Sequence, residues 1–540
     1  MRLNRITFFL LFIFLLKNLN AITVEEYTYL DSLMKGNIKG VKKAIEENKV
    51  NINLYDFNTP AIIYSFIPDK INLKVIKYLI SKGANFDVKS QLYSPPLISA
   101  IYKNNFELVK LLLNNKVDIN ILDNHSQNAL LIAVKKNNFK IIKLLIEKGI
   151  NLNYQDKNGK NALMYSNSLK ISKYLIENKI NIDAKDNSGL TALGLAIKKN
   201  NFKMIELLIK NGANLNTLDK NKNSLLQKTL KYTNVKMIKY LEKFTINLEN
   251  KNNLQENLLM NAVEENDLNI VKYLISKKLD KNTINIYNEN LLMKALDKNH
   301  FQLLKYLVEH LQLNINHRDK KGNTSLIKAT KSLTQVDIIS YLVNNGADIN
   351  AQNDIGNSAL LLSNDLKTIK YLVNNGANIN HLNNENENIA FKIPLYKYDI
   401  FKFLTSNKIN LNQKNNKGEN LFERLYKEDN LELLELFFKN GLDINIKNSL
   451  GYRPLHYASY NNDIYLLNIL IKYSNLKLNA KDINGDTPLI IATRRENINI
   501  VKKLINLNAN KFLKNNEYKT AYDYAVLLDN NKLIKLLKNL

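Results

Sequence analysis

One stretch of about 33 residues recurs along almost the whole chain, and it constrains the fold more than any other feature. Its clearest copy is NSGLTALGLAIKKNNFKMIELLIKNGANLNTLD, which runs from Asn187 to Asp219. A turn leads into a short apolar helix, and a second apolar series with helical spacing follows Asn200-Asn201. Gly212 then closes the second helix in the left-handed conformation. The unit therefore predicts a helix–turn–helix with an extended connection, repeated in tandem.

A tandem array removes the need for one central core, because each unit contacts only its neighbours. The 540 residues include 16 glycines and 7 prolines and are 45% hydrophobic, which fits a folded and mostly helical chain with short connections. The chain has no cysteine, and this excludes disulfides, thiolate metal sites and cysteine nucleophiles. The abundance of lysine, asparagine, isoleucine and tyrosine indicates an AT-rich genome.

Helix–turn–helix units with a β-turn finger at this period resemble the ankyrin repeat. The residues closest to the Thr-Pro-Leu-His helix start of that family are Arg453-Pro454-Leu455-His456 and Thr487-Pro488-Leu489-Ile490. Proline suits the first helical turn, and the Thr487 hydroxyl can satisfy a free amide there. The resemblance implies that His456 hydrogen-bonds the backbone of a neighbouring finger. It also implies an all-α fold, an ankyrin-repeat α-solenoid of about sixteen units with β-hairpin fingers.

The first 21 residues differ from everything that follows and predict a secretory signal peptide. Arg2 and Arg5 precede the apolar run Ile6 to Leu16, and Ala21 offers a small residue for cleavage. The run is too short to span a bilayer, which requires about 20 residues. The mature protein is therefore expected to begin near Ala21 or Ile22, to lie outside the cytoplasm, and to have no membrane span.

The rest of the chain divides by the quality of its repeats. The segments are an N-terminal capping repeat at 22–56, ankyrin repeats at 57–219, degenerate ankyrin repeats at 220–319, ankyrin repeats at 320–516 and a C-terminal capping repeat at 517–540. Within the degenerate segment, LDKNTINIY (residues 279–287) suggests extra residues inserted into a finger. Residues 220–319 have fewer finger glycines, and their helix starts match the repeat motif less well. They are therefore expected to be the least stable interior part of the array.

No motif in the sequence indicates catalysis, a metal or a cofactor. The six histidines lack the i, i+4 spacing of a helical zinc site, and those other than His456 are expected to be solvated. Adjacent acidic residues on a helix point to different faces, so they cannot flank a substrate. There is no glycine-rich phosphate loop and no GxSxG elbow. The sequence therefore predicts a protein that is not an enzyme.

The one constellation above background is basic, in a chain with a formal net charge of +27. Cations recur at the ends of the first helices, most clearly as the pairs Lys135-Lys136, Lys198-Lys199 and Arg494-Arg495. In ankyrin proteins these helices line a concave surface, so stacking is expected to align the pairs into a ridge that binds a partner. Cations also suit the negative end of a helix dipole, so solubilisation is the alternative role.

The sequence as a whole predicts an exported, monomeric scaffold that binds a protein partner with an acidic surface through its fingers and concave helix face. Its compartment is periplasmic or extracellular in a bacterium and the secretory pathway in a eukaryote. The alternative is an exported effector or surface protein that binds an acidic polymer through the basic ridge, although nucleic acid is not the expected partner. Binding to a polyanion falls steeply with salt, and this separates the two functions.

Overall fold

The structure, a computed structural model, describes residues 22–538 except Phe57, Asn299 and residues 332–335. The predicted signal peptide at residues 1–21 lies outside the described residues. Within them, the chain forms sixteen consecutive pairs of α-helices, and β-structure is limited to one short hairpin and four isolated bridges. The predicted all-α fold of tandem helix–turn–helix units is confirmed.

The chain divides into two compact units, one up to Leu279 and one from Asp280. In the first unit, repeats 1 to 8 consist of the helix pairs Val24–Met34 and Ile38–Glu46; Ala61–Tyr64 and Leu73–Ser81; Pro96–Tyr102 and Phe106–Asn114; Ala129–Lys135 and Phe139–Glu147; Ala162–Tyr165 and Leu169–Glu177; Ala192–Lys198 and Phe202–Lys210; Leu225–Thr229 and Val235–Leu241; Leu258–Glu264 and Leu268–Ser276. In the second unit, repeats 9 to 16 consist of Leu291–Leu296 and Phe301–Leu311; Ser325–Lys331 and Val336–Asn344; Ala359–Leu362 and Leu366–Asn374; Ile389–Lys392 and Tyr398–Ser406; Leu421–Lys427 and Leu431–Lys439; Pro454–Asn461 and Ile464–Leu470; Pro488–Arg494 and Ile498–Asn506; Ala521–Leu527 and Asn531–Leu537. In repeat 7, 3₁₀ turns follow the two helices at Leu230–Tyr232 and Glu242–Phe244.

The turn between the two helices of a repeat depends on consecutive polar residues, shown here by Asn200 and Asn201. Asn200 has a φ of 52°, the left-handed conformation that asparagine tolerates better than most residues. Asn201 then caps the second helix, because its side-chain oxygen accepts a hydrogen bond from the Met204 N–H at 3.1 Å. Two asparagines thus end one helix and begin the next without a glycine.

The second helices end in the left-handed region, at glycine in some repeats and at other residues in the rest. Gly212 and Gly346 have φ values of 88° and 91°, and a Cβ atom at either position would meet no atom within 4 Å. Glycine is therefore favoured there by the backbone conformation and not by lack of space. Lys116 and Lys179, in the segment predicted to be well formed, adopt φ values of 60° and 70° at the same position. In the segment predicted to be degenerate, Thr245 and Gln312 adopt the same region with φ values of 56° and 52°. This conformation costs an L-residue about 1–2 kcal/mol.

The core of each unit runs between its repeats. First helices contact the first helix of the next repeat, and second helices contact the next second helix. Leu193, Ile205 and Leu208 of repeat 6 are fully buried between these layers. Burial of one such side chain contributes about 1.5–3 kcal/mol, so packing within and between adjacent repeats stabilises the array.

The fingers between repeats are closed mainly by side chains. The Asp186 Oδ1 atom accepts hydrogen bonds from the N–H groups of Ser188 and Leu190, at 3.0 and 2.9 Å. The one two-residue hairpin pairs Tyr55–Asp56 with Thr59–Pro60. Isolated bridges take its place at Leu122–Asn128, Leu218–Ser224, Gln352–Ser358 and Lys414–Asn420. Most of these fingers are thus turns held by a carboxylate or amide oxygen, whereas the Ser90 hydroxyl accepts the N–H of Leu92 in the finger before repeat 3.

A ladder of Asn and Asp side chains joins successive fingers. The Asn350 Oδ1 atom accepts the N–H of Asn378 at 2.8 Å, and its Nδ2 atom donates to the Gly376 carbonyl at 3.1 Å. The same backbone N–H to side-chain oxygen bond, at 2.6–3.0 Å, joins Asn85 to Asn53, Asp118 to Asp87, Asn151 to Asn120, Asn181 to Asn153, Asn214 to Asp183, Asn247 to Asn216, Asp348 to Asn316, Asn410 to Asn380, Asp443 to Asn412, Lys477 to Asn445 and Asn510 to Asn479.

The predicted insertion in the finger at residues 279–287 is wrong. The connection at residues 277–290 has the same length as the connection at residues 211–224. The Asp280 Oδ1 atom accepts the N–H of Asn282, and the Asn285 Oδ1 atom accepts the N–H of Tyr287, both at 2.9 Å. Lys278-Leu279-Asp280 stands where the finger at residues 211–224 has Gly212-Ala213-Asn214, and this difference made an ordinary finger resemble an insertion.

Candidate functional site

The six cations singled out in the sequence occupy two equivalent positions of their repeats. Lys135, Lys198 and Arg494 are the last residues of first helices. The next residues, Lys136, Lys199 and Arg495, are the C-caps. All six side chains are exposed. The four lysines belong to the unit up to Leu279 and the two arginines to the unit from Asp280, so we describe a lysine group and an arginine pair separately.

The first cation of each pair reaches forward to an aromatic ring of the next repeat. The Lys135 Nζ atom lies 3.8 Å from the ring centroid of Tyr165, and the Lys198 Nζ atom lies 4.4 Å from that of Tyr232. The Arg494 Cζ atom lies 5.7 Å from the ring centroid of Tyr524. These are cation–π contacts, and they fix the direction in which each charge is presented.

The second cation of each pair reaches back to the preceding repeat. The Arg495 Cζ atom lies 3.9 Å from the ring centroid of Tyr460, and the Lys136 Nζ atom lies 5.8 Å from that of Tyr102. Lys199 instead donates a hydrogen bond to the Asn167 side-chain oxygen at 3.1 Å. Every member of the predicted ridge therefore joins adjacent repeats as well as facing solvent.

Two of the six cations are less available to a partner than the sequence suggested. The Arg494 guanidinium pairs with the buried Asp486 carboxylate at 2.8 Å. Burial opposes the charge of Arg494, but Asp486 together with Tyr524 and Tyr452 more than offsets this, so the arginine pKa is raised. Partial burial lowers the pKa of Lys135, against the attraction of Asp156 and Asp123. These carboxylates lie eight or more residues from the cations in sequence, outside the i, i+3 and i, i+4 spacings of a helix, so spacing alone could not reveal them.

The structural motif residues lie at the starts of the first helices of repeats 14 and 15. Thr487 is an N-cap whose hydroxyl accepts the Ile490 N–H at 3.3 Å. Pro488 and Pro454 are the first residues of their helices, and the leucines that follow them, Leu489 and Leu455, are buried. The threonine cap and the prolines begin these helices, and the buried leucines anchor them in the core.

His456 is completely buried and connects two repeats. Its Nδ1 atom accepts the Arg453 N–H at 3.1 Å, and its Nε2 atom bonds the Ala480 carbonyl in the next finger at 3.1 Å. Burial lowers the pKa of His456 to about 4, so the ring is neutral near pH 7. The side chain has no free position for a metal or substrate.

The expectation that the other histidines are solvated is wrong for two of them. The His317 Nε2 atom bonds the Asn288 carbonyl at 2.7 Å, and the His381 Nε2 atom bonds the Gly356 carbonyl at 2.6 Å. Each histidine directly follows an Asn-Ile-Asn segment of its finger. The shared position after Asn-Ile-Asn is therefore a sequence signal for this hydrogen bond to the preceding finger.

Exposed apolar side chains at the finger tips were missed in the sequence. Those of Leu450, Ile483 and Tyr518 lie on three successive fingers, of repeats 14, 15 and 16. Their signal is position, because each lies within three residues after the Asn or Asp that closes its finger. Exposed apolar residues near cations are a frequent feature of protein-binding surfaces.

The described residues contain no group of three or more acids and histidines placed to hold a metal ion. None of their helices combines the length and apolar character that a membrane crossing requires.

A tandem stack of helix pairs with fingers, exposing cations and apolar tips, defines a helical-repeat binding protein. The family described as "Ankyrin repeats (3 copies)" matches residues 29–123, 66–156, 151–219, 193–285, 259–353, 422–515 and 455–539, together more than half of the chain. The chain belongs to the ankyrin repeat family. Ankyrin repeats generally mediate protein–protein interactions and are typically non-catalytic.

Individual relatives match only short parts of the chain. A putative ankyrin repeat protein of Rickettsia bellii (strain RML369-C) is 34% identical over 93 residues, which cover 16% of this chain and 55% of the relative. The neurogenic locus notch homolog protein 1 of Danio rerio is 34% identical over 98 residues, 18% of this chain and 4% of the relative. A probable serine/threonine-protein kinase of Dictyostelium discoideum is 29% identical over 110 residues, 20% and 13% respectively. The chain thus spans 55% or less of the length of these three relatives.

Proposed function

We propose that the protein is a non-catalytic scaffold that binds a protein partner with an acidic surface through its first-helix ends and finger tips. The observation that carries this proposal is the fixed presentation of exposed cations. Lys198 over Tyr232 and Arg495 over Tyr460 are held at 4.4 and 3.9 Å, so these side chains have less conformational entropy to lose on binding. A net charge of +27 also favours encounter with an acidic partner.

A protein partner fits this surface better than an acidic polymer. Proteins that bind single-stranded nucleic acid use free aromatic faces for base stacking, whereas cations cover the faces of Tyr165, Tyr232 and Tyr460. Exposed apolar tips such as Ile483 suit the aliphatic and aromatic side chains of a protein. Binding of a polymer to the same cations would be independent of these tips and much more dependent on salt.

The mature scaffold is proposed to be exported and monomeric. Support for export comes from Arg2, Arg5 and the apolar run that follows them. N-terminal sequencing of the protein from its native cell should find a start near Ala21 or Ile22, and the protein should fractionate outside the cytoplasm. An intact Met1 on a cytosolic protein would contradict export without affecting the proposed binding surface.

The binding proposal is tested with a variant that removes cations but preserves the fold. Arg494 is left unchanged, because its loss would leave the buried Asp486 carboxylate without its ion pair. The ridge variant replaces Lys135, Lys136, Lys198, Lys199 and Arg495 with glutamine. A matched control replaces five exposed lysines of the second helices with glutamine, namely Lys74, Lys110, Lys140, Lys203 and Lys502.

Both variants lose five positive charges, so a difference between them reports position and not net charge. The partner recovered from the native cell with the wild-type chain is then used in association measurements at low and high salt. The ridge variant should associate more slowly than the control and with a weaker salt dependence, because steering acts mainly on the association rate. Equal association rates for the two variants at low salt would refute the proposal.

A further inference from the structure

Three exposed apolar side chains form a row across the finger tips of repeats 14 to 16. Leu450, Ile483 and Tyr518 are 52%, 57% and 81% exposed. The Ile483 N–H donates to the Leu450 carbonyl at 3.1 Å, and the Asn516 side chain donates to the Ile483 carbonyl at 3.0 Å. These bonds between fingers hold the three tips next to one another.

Tyr518 occupies a backbone position that the two preceding fingers reserve for glycine. Its φ is 60°, compared with 76° at Gly451 and 75° at Gly485. A Cβ atom on Gly485 would lie 2.5 Å from the Asn516 side-chain oxygen, so the next finger excludes a side chain there. The finger of repeat 16 instead carries a large aromatic residue in this rarely adopted conformation, with most of its surface in solvent. An exposed aromatic ring of this kind supplies contact area that binding hot spots commonly use.

Arginine is concentrated in the same part of the chain. Five arginines follow residue 21, and four of them are Arg424, Arg453, Arg494 and Arg495. The first three are engaged within the protein: Arg424 donates to the Ala390 and Ile393 carbonyls, Arg453 donates to the Asn445 carbonyl, and Arg494 pairs with Asp486.

Arg495 is the member of this group that can receive a partner. Its guanidinium stacks on the Tyr460 ring at 3.9 Å, both side chains are exposed, and it has no carboxylate partner within the described part of the chain. Stacking occupies one face of the planar guanidinium and leaves its N–H edge available for a carboxylate, which can bind in bidentate geometry. Tyr460 and Tyr518 add the aromatic area that is typical of binding hot spots.

Arg494 connects the two parts of this surface, because it lies next to Arg495 and reaches two of the fingers. Its guanidinium pairs with the Asp486 carboxylate, in the finger that carries Ile483, at 2.8 Å. Its Cζ atom also lies 5.7 Å from the ring centroid of Tyr524, whose hydroxyl donates to Glu517, the neighbour of Tyr518, at 3.1 Å. Direct contacts therefore link the helix end that carries Arg495 to the fingers of Ile483 and Tyr518.

We propose that Leu450, Ile483, Tyr518, Tyr460 and Arg495, here called the arginine–tip surface, bind an extended acidic protein segment. One carboxylate of the segment pairs with Arg495, and its aliphatic or aromatic side chains pack on the three tips. This inference rests on the proposed function, since it names one part of the binding surface and the chemistry of the partner. It commits to an acidic and apolar segment because Arg495, which has no carboxylate partner among the described residues, and the exposed apolar row belong to the same repeats.

The probe is a library of random twelve-residue peptides displayed on phage, selected on the immobilised full-length chain. The enriched peptides should place Asp or Glu a few residues from Leu, Ile or Phe. The commonest peptide is then synthesised, and its affinity is measured for Arg495→Gln, Arg495→Lys and Ile483→Asn. Each glutamine or asparagine variant should weaken binding about thirtyfold or more, the loss expected for a hot-spot residue. Arg495→Lys should also weaken binding, because lysine lacks the planar fork.

Matched controls use residues of the same type outside this surface. Lys502→Gln removes an exposed cation from the second helix of repeat 15, and Leu92→Asn replaces an exposed apolar residue in a finger of the other unit. Neither should change the affinity by more than about twofold, because surface substitutions away from a contact have small effects. Circular dichroism of each variant should match that of the wild type, since all replaced side chains are exposed.

Three outcomes would overturn this inference. One is a selection that enriches no acidic and apolar motif. A second is an enriched peptide that binds Arg495→Gln as tightly as the wild type but is lost when Lys135, Lys136, Lys198 and Lys199 become glutamine, which would leave the proposed function intact and place the site elsewhere. A third is that the peptide binds with the same affinity after its apolar residues are changed to serine. Recognition would then depend on acidic groups alone, as expected for an acidic polymer.

Discussion

His456 is buried where repeats 14 and 15 meet, and local opening of these repeats should increase at mildly acidic pH. The closed state holds the pKa of His456 at about 4, whereas an unfolded histidine titrates near 6.5. The open state therefore binds a proton more readily than the closed state. The stabilisation from neutral His456 is complete above pH 6.5 and is lost as the pH falls from 6.5 towards 4.

The loss at pH 5 follows from these two pKa values. Linkage gives a decrease of about 2 kcal/mol in the free energy of local opening between pH 7 and pH 5, or about thirtyfold more open state. Protonation also has a local cause of instability, because a proton on Nδ1 would face the Arg453 N–H that now donates to it. Carboxylates contribute little in this interval, since their ordinary pKa values lie near 4.

Hydrogen exchange read by mass spectrometry measures this opening directly. After correction for intrinsic exchange rates, the amides of Pro454–Asn461 and Pro488–Arg494 should lose about thirtyfold protection between pH 7 and pH 5. His456→Gln should be less stable at pH 7 by about 1 kcal/mol, the usual value of a hydrogen bond, but should lack the pH dependence. His125→Gln, which replaces an exposed histidine, is the control. Equal pH dependence in His456→Gln and the wild type would refute the assignment.

Three further predictions concern the joints between repeats. Thr245→Gly should raise the free energy of local opening by about 1 kcal/mol, because it removes a β-branched residue from the left-handed conformation. Gly212→Thr should lower that free energy by a similar amount; calorimetry and hydrogen exchange of the two variants check both changes. Asn350→Ala should destabilise its joint by about 1–3 kcal/mol by leaving backbone groups unpaired, whereas Asn345→Ala, which removes a bond to its own helix, should cost less in the same exchange measurement. Among interior repeats, residues 220–319 should exchange fastest, and uniform protection along the array would contradict this.

The sequence predicted the local structure well because that structure depends on neighbours in the chain. Asn200 adopts the left-handed conformation that asparagine tolerates. The unit from Asp156 to Asp186 is three residues shorter than the unit from Asp186 to Asp219, and its first helix, Ala162–Tyr165, is shorter than Ala192–Lys198 by the same three residues. The helix Ile389–Lys392 ends before Pro394, as expected for a proline inside a first helix. In each case a residue and its immediate neighbours decide the backbone conformation.

Contacts between repeats could not be predicted in the same way. The Lys135 Nζ atom lies 3.8 Å from the ring centroid of Tyr165, although these two residues belong to different repeats. The ion pair between Arg494 and Asp486 depends on how the end of the first helix of repeat 15 packs on the finger that precedes it. An interpretation from position treats the six cations as equivalent, whereas the fold commits Arg494 to an ion pair and leaves Arg495 open to solvent.

The asparagine ladder makes the joints of the array chemically interchangeable. Asn350 meets the N–H of Asn378, and in the next finger Asn380 meets the N–H of Asn410 in the same way. Deletion of residues 351–380 would bring the Asn350 side chain to the N–H of Asn410 and recreate this bond. Gain or loss of one complete unit therefore leaves the ladder matched, so recombination between copies can change the length of the array without breaking the ladder.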